Sequence, residues 1–339
     1  MKVFIIGGTG LLGSETARVL LEQGHEVSSL ALPPLPHGVA LPKAMKISYG
    51  NYMEMSDDEL RNQFVGMDGF VFAAGIDERV EGKPPVYQMF KKYNIDALER
   101  SLRLAKEAGV KHVAICGSYF AYFARRFPEW KLTEFHPYIR SRIDQEEMAL
   151  SFADDNFAVS ILELPYIFGT QPGRKPVWTF LVEMIKAMKK ATFYPRGGTT
   201  MVTVHQVAEG LAGALQKNNG GHLYPFGYYN MTWKEMLTIF HKYMGYSSKR
   251  KIITIPDFLF RMKGSQIDHM RARHNIEGGL NMRKFTQMQT TNLFINKEEG
   301  ADFLGVKPDD IDARIGDSVK LCLDIIDNKV NDVVDMKGE

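Results

Sequence analysis

Residues 2–32, "KVFIIGGTGLLGSETARVLLEQGHEVSSLAL", run as strand, glycine turn, helix, turn and strand. Val3 to Ile6 are continuously apolar, as a short strand buried on both faces of a parallel sheet requires. From Ser14 the apolar positions change to helical spacing, at Ala17, Leu20 and Leu21. Gly24 stands where a helix ends in a left-handed residue. Residues 26–30 form the next strand. The unit is strand–helix–strand, whose right-handed crossover places both strands in one parallel sheet.

The turn carries the chemistry. Gly8, Gly10 and Gly13 fit GxGxxG, and Gly7, Gly10 and Gly13 fit GxxGxxG. One glycine permits the sharp turn off the strand. Another lets backbone N–H groups approach a pyrophosphate, and the last lets helix and strand pack closely. The helix N-terminus adds partial positive charge. Because the motif leaves a strand and opens a helix, the reading is a dinucleotide site built from Gly7, Thr9, Gly10, Leu11, Leu12 and Gly13. An acid at the end of the second strand suits the ribose of NAD, and an arginine suits the 2′-phosphate of NADP. Ala31, Leu32, Pro33 and Pro34 provide neither. Lys43 or His37, in the loop beyond, can approach a 2′-phosphate. The expected cofactor is NADP or NAD, with NADP favoured.

The bulk numbers narrow the class. The chain has 339 residues, 45% hydrophobic and 24% charged, enough for one large α/β domain with a second lobe. A net charge of +2 gives no reason to expect nucleic acid or an anionic membrane surface as partner. The partner expected is a small-molecule substrate; a homodimer stays open. The two cysteines, Cys116 and Cys322, make neither a CxxC pair nor a metal-ligand spacing with histidine. A reducing compartment, the cytoplasm, is the expected location. No run of about 18 apolar residues exists to span a membrane.

Further motifs follow in order. "YGNY" (49–52) carries Asn51. "VFAAG" (71–75) ends a fourth strand in Ala73, Ala74 and Gly75. "YNIDALERSLRLAKEAGVKHVAICGS" (93–118) spans a long helix and a fifth strand, with Asn94 near its start and Ser118 at its end. "HPYIRSR" (136–142) holds Tyr138 and Arg142. "LELPYIFGT" (162–170) contains Pro165, and "MVTVHQVAEGL" (201–211) gives a later strand and helix. Together these resemble the short-chain dehydrogenase/reductase superfamily in its extended or atypical branch, the NAD-dependent epimerase/dehydratase family. The resemblance runs through most of the chain. It implies a Rossmann-like, doubly wound parallel sheet with a smaller, interleaved C-terminal substrate lobe. Residues 1–168 would form the dinucleotide domain, with 199–221 returning to it, and 169–198 plus 222–339 the lobe.

The resemblance also implies roles. Asn51 sits where the family has an adenine-contacting side chain and can still hydrogen-bond an amino group. Asn94 falls in the family's asparagine slot, Ser118 at the position that orients substrate oxygen, and Tyr138 at the acid/base. Pro165 lies on the segment crossing near the nicotinamide. "HPYIRSR" departs from the family's PYxxSK at its last residue, where Arg142 replaces lysine. Arginine is permanently charged, so it can depress the tyrosine pKa and donate to ribose hydroxyls, but it cannot pass a proton on. The bland alternative is a helix-surface pair in a protein that binds a dinucleotide without turning it over. His136 is read as a loop histidine or a shuttle, and His205 as a satisfied structural one. The segment 77–79, "DER", lies at the carboxyl end of the sheet, where open α/β folds bind ligands. Tyr122 either lines the pocket or covers the core.

The lobe shapes the substrate reading. Residues 176–190 are expected to form a helix with Val177, Phe180, Leu181, Met184 and Met188 on its apolar face. Thr232 with Glu235 reads as a capping box. The methionine-rich stretch from about residue 261 is read as core or as the lining of an apolar pocket. Nucleotide-sugar enzymes of this branch carry an Arg-Asp pair where this chain has Thr199 and Thr200. The departure counts against a nucleotide sugar, and the aromatic and methionine content of the lobe favours a small, fairly apolar carbonyl or alcohol. The expected function is therefore an NAD(P)-dependent oxidoreductase; the alternatives are a nucleotide-sugar epimerase or dehydratase and a non-catalytic NAD(P) sensor.

Overall fold

The computed structural model describes every residue except 34, 36, 37, 248, 332 and 335–339. Pro34 and His37, considered above for the cofactor ribose, lie outside the described residues. Seven parallel strands form the main sheet. Their order from one edge is Gly221–Pro225, Ala158–Glu163, His112–Cys116, Gly69–Phe72, Lys2–Ile6, Glu26–Ala31 and Lys46–Tyr49. The strand order reverses between Lys2–Ile6 and Gly69–Phe72, which creates the crevice where such sheets bind ligands.

Alternation along the first strand divides the core. Val3 and Ile5 face the helices Leu11–Glu22 and Val204–Lys217. Phe4 and Ile6 face Asp57–Phe64 and Ala97–Glu107. Both faces are covered, so the strand is apolar throughout. The first helix is followed by Gly24 at φ +83, as its position after the apolar stripe required.

A second sheet joins Tyr229–Thr232, Gly198–Thr203 and Asn292–Leu293, and Tyr166–Phe168 pairs with Gly198–Thr203. Of the segment 199–221, the strand therefore lies in this smaller sheet. Its helix packs on the main sheet, and Gly221–Pro225 supplies the edge strand there. A separate apolar cluster of Phe168, Trp178, Trp233, Phe240 and Val319 holds the smaller unit together. Thr232 and Glu235 form the expected capping box on helix Trp233–Tyr243.

Two expectations about packing need correction. Helix Thr179–Ala187 buries Leu181, Val182 and Ile185, whereas Phe180 is 54% exposed. The apolar residues there wrap more than half of the helix, so spacing alone does not fix which face turns inward. Met262 and Met270 lie exposed on helix Asp257–Arg273, on which Gly264 is the buried residue. That helix packs through a close backbone approach at glycine, so its methionines are not core, whereas Met288, further along the same stretch, is core as expected.

Candidate active site

The glycine turn fits a dinucleotide by direct geometry. Gly7 has φ +89, and a Cβ there would lie 2.6 Å from the Ala73 carbonyl oxygen. A Cβ on Gly13 would lie 2.2 Å from the Gly7 carbonyl oxygen. Turn, helix and fourth strand thus meet with no room for side chains. Helix Leu11–Glu22 begins at Gly10 without a side-chain cap and has no acidic residue in its first turn. Its N–H groups and dipole stay available to an anion. Ala73 is tied to the first strand by its N–H donating to the Ile6 carbonyl at 2.9 Å. Among the other cofactor candidates, Asn51 uses its side-chain oxygen to accept from the Met53 N–H at 3.0 Å, leaving its amide hydrogens for other partners.

Asn94 lies in a widened π-turn, Lys91–Asp96, within the long helix. Its side chain grips the backbone of Ile76 from both sides. The Ile76 N–H donates to Asn94 Oδ1 at 2.8 Å, and Asn94 Nδ2 donates to the Ile76 carbonyl at 3.0 Å. The segment leaving the fourth strand is thereby fixed. Gly75, at φ +129, passes so close that a Cβ would sit 2.6 Å from Asn94 Oδ1.

Helix Pro137–Leu150 starts where Pro137 predicts, and Tyr138, Arg142 and Gln145 share one of its faces at i, i+4 and i+7. All three are buried. Arg142 Nε donates to the Tyr138 hydroxyl oxygen at 3.0 Å, and Arg142 Nη1 donates to Gln145 Oε1 at 2.7 Å. Gln145 Nε2 then donates to the Asn94 carbonyl at 2.6 Å. Tyr138 and Arg142 are therefore not a surface pair. Gln145 belongs to none of the motifs above; its place two turns after Tyr138 on the same helix is the one signal the sequence holds for it.

Burial holds the Tyr138 phenol above its ordinary pKa, Arg142 pulls it down, Glu78 pushes it up, and Ser118 lowers it by hydrogen bonding. Burial prevails, so the phenol is neutral at pH 7. Ser118 is buried, and its Oγ accepts from the Phe120 N–H at 3.4 Å as cap of helix Tyr119–Arg126. Glu78, in the segment 77–79, feels the charge of Arg142, and its own charge acts on Tyr138. Burial, with help from Asp77, raises its carboxyl pKa to about 7. Its charge also bears on Tyr119 and Tyr166. Phe90 and Phe120 flank the Tyr138 ring at 5.5 and 6.3 Å between centroids. The resulting face has four oxygen-bearing groups, Ser118, Tyr138, Tyr166 and Glu78, amid aromatic rings.

Other candidates stand apart. His136 is fully buried, its Nδ1 accepts from the Asn281 N–H at 3.1 Å, and burial lowers its pKa to about 4. It is a neutral structural group. His205 pairs with Glu15 at 2.8 Å on the far side of the first helix. The Tyr122 hydroxyl donates to Glu299 at 2.6 Å near the surface. Thr199 and Thr200 are fully buried; the Thr199 hydroxyl meets that of Tyr119 at 3.0 Å, and Thr200 Oγ1 accepts from the Ile295 N–H at 2.6 Å. Arg196 pairs with Asp257 at 2.7 Å. Pro165 directly precedes strand Tyr166–Phe168. Lys43 is exposed.

A family model described as NAD(P)H-binding matches residues 7–177, and the chain belongs to that family. Its Rossmann-like fold is shared with solved structures of nucleoside-diphosphate-sugar epimerases. Solved structures similar over nearly the whole chain include gox2253, at 19% identity and TM-score 0.71, covering 97% of this chain and 99% of that one. WbmG of Bordetella bronchiseptica, in complex with NAD, matches at 16% identity and TM-score 0.66, covering 100% and 98%. UDP-glucose 4-epimerase of Bifidobacterium longum, in complex with NAD and UDP, matches at 15% and 0.66, covering 97% and 99%. At these identities the likeness is one of fold. No curated protein matches. No helix among the described residues is long and apolar enough to cross a membrane.

Proposed function

We propose that the chain is an NAD(P)-dependent oxidoreductase that interconverts a carbonyl and an alcohol on a small, largely apolar substrate. The observation that carries this reading is the buried chain from the Tyr138 hydroxyl through Arg142 and Gln145 to the Asn94 carbonyl. When bound, the nicotinamide supplies or takes up the hydride. Tyr138 gives the proton to the substrate oxygen, or removes it in the reverse direction. Arginine only donates, so the Tyr138 oxygen accepts from Arg142 and keeps its own proton free to point at the substrate. Ser118 orients the substrate oxygen. The neutral state of Tyr138 at pH 7 favours its use as an acid, hence carbonyl reduction. NADP is the preferred cofactor in this reading, because the second strand ends at Ala31 without an acid to repel a 2′-phosphate. A reducing, cytoplasmic setting completes it, supported by two free cysteines whose thiols burial raises to about 12 at Cys116 and about 11 at Cys322. The test is titration with NADH and NADPH, then a panel of aldehydes and ketones followed at the nicotinamide absorbance. Binding without turnover across the panel counts against the proposal.

A second reading, nucleotide-sugar epimerisation, is favoured by the full-length likeness to an epimerase that binds NAD and UDP. The buried Thr199 and Thr200, engaged within the protein, speak against a diphosphate grip at that point. UDP-glucose offered to the enzyme with NAD separates the two. An epimerase converts the sugar with no net change in nicotinamide absorbance, whereas the oxidoreductase leaves it untouched.

A further inference from the structure

Beyond strand Tyr166–Phe168 the chain turns back across the glycine turn. Gln171 Nε2 donates to the Thr9 carbonyl at 3.1 Å and to Ser14 Oγ at 2.9 Å. Arg174 Nη2 donates to the same Thr9 carbonyl at 3.0 Å. The strap is anchored on its other side. The Lys175 N–H donates to the Val334 carbonyl at 3.1 Å, and the Val334 N–H donates to the Gly173 carbonyl at 2.9 Å. Ser318 Oγ holds Gly169 at its start, accepting from the Gly169 N–H at 3.1 Å.

Two polar atoms of this strap are left over. Gln171 is 4% exposed, yet its Oε1 has no partner; Arg174 Nε is likewise buried and unpartnered. The Gln171 amide cannot be turned round to hide this, because that would set its oxygen against the Thr9 carbonyl oxygen. No carboxylate among the described residues pairs with Arg174, and burial pulls its guanidinium below its ordinary pKa with nothing opposing. A half-buried cation held against a neutral carbonyl costs free energy until an anion arrives. The anion-seeking feature next to it is the uncapped start of the 12-residue helix Leu11–Glu22, two residues beyond Thr9. The strap also lines a cleft of about 500 Å³ with Gly38, in the segment after the second strand, and with Thr170, Gly173 and Val330.

From this we infer that Arg174 is a cofactor ligand: its guanidinium, held beside the helix N-terminus by the Thr9 carbonyl and by the strap that Gln171 anchors, would take the pyrophosphate of the dinucleotide. The inference rests on the chain's NAD(P)H binding and not on the Tyr138 reaction. It makes the strap a closing element of the cofactor site, contributed by the segment that leaves the smaller sheet after strand Tyr166–Phe168. The pyrophosphate is common to both cofactors, so the cation adds affinity without choosing between them.

The experiment is equilibrium binding by nicotinamide fluorescence. Arg174→Gln should weaken NADH and NADPH alike, by roughly 30-fold, the usual scale for one lost charge-assisted hydrogen bond. Arg174→Lys should lose much less. In the unmodified protein, ADP-ribose should protect Arg174 from phenylglyoxal, read by peptide mass, and adenosine should not. Unchanged dissociation constants in Arg174→Gln, or equal protection by adenosine, would overturn the assignment. A loss confined to NADPH would also overturn it, by moving the cation to the 2′-phosphate. Because every readout is binding, failure of the carbonyl panel leaves the result intact.

Discussion

Arg142 Nη1 donates to Gln145 Oε1 at 2.7 Å while its Nε donates to the Tyr138 hydroxyl at 3.0 Å, so one guanidinium bridges the phenol and the amide. Lysine presents three donors on one nitrogen and has no planar fork to span both. The arginine that departs from the family pattern is thus matched by a glutamine that fits it. Neither side chain gives up a proton at neutral pH, so the chain positions Tyr138 and does not refill it.

Breaking that bridge should be felt at the reaction. Gln145→Leu removes the acceptor for Arg142 and the donor to Asn94. Thermal or denaturant unfolding should show a loss of about 2 kcal/mol, and kcat should fall about tenfold in the nicotinamide absorbance assay. A kcat within error of the unmodified protein would show that Arg142 holds Tyr138 unaided.

Removing the phenol hydroxyl tests the acid itself. Tyr138→Phe should lower kcat by about 10³-fold, the scale of general acid catalysis. Fluorescence titration should show cofactor binding retained. Turnover that survives the change transfers the proton role to another group.

If Tyr138 is refilled by a neighbouring acid, the candidate is Glu78, whose charge acts on it. With its carboxyl pKa raised to about 7 by burial, it is protonated below that pH and can supply the proton there. For carbonyl reduction, kcat should decline as pH rises through about 7, and Glu78→Gln should remove that limb. An identical pH profile in both proteins rules the route out.

The glycine turn should tolerate no side chain at Gly13, where a Cβ would lie 2.2 Å from the Gly7 carbonyl oxygen. Gly13→Ala should cost about 2 kcal/mol of stability and weaken NAD(P)H binding more than tenfold, by about the amount that displaced backbone donors imply. Calorimetry with and without cofactor measures both.

His136 supplies a pH dependence of folding. Its pKa is about 4 when folded against the ordinary 6.5 of an imidazole in the unfolded chain, so the unfolded chain binds its proton first. The stability associated with neutral His136 is fully present above pH 6.5 and is lost as pH falls towards 4. The loss amounts to about 3 kcal/mol. Denaturant titrations of the unmodified protein and of His136→Gln between these limits should differ in slope. Parallel curves would mean that the imidazole takes a proton without leaving its site.

Local rules determined the nucleotide half of this protein. Val3–Ile6 read as a buried strand because every residue is apolar; the glycines Gly7, Gly10 and Gly13 mark a tight turn, and at Gly7 and Gly13 a Cβ has no room; Tyr138 and Arg142 had to share a face because four residues make about one turn. Family order then marked Asn94 and Ser118. Tertiary structure decided what spacing cannot. It buried Arg142 against Gln145, chose Leu181 over Phe180 as core, and engaged Thr199 and Thr200 inside the protein. It also carried Arg174 back across more than 160 residues to Thr9. Each of these depends on which distant backbone supplies a partner or excludes water, and periodicity along a chain records only the neighbours one or two turns away.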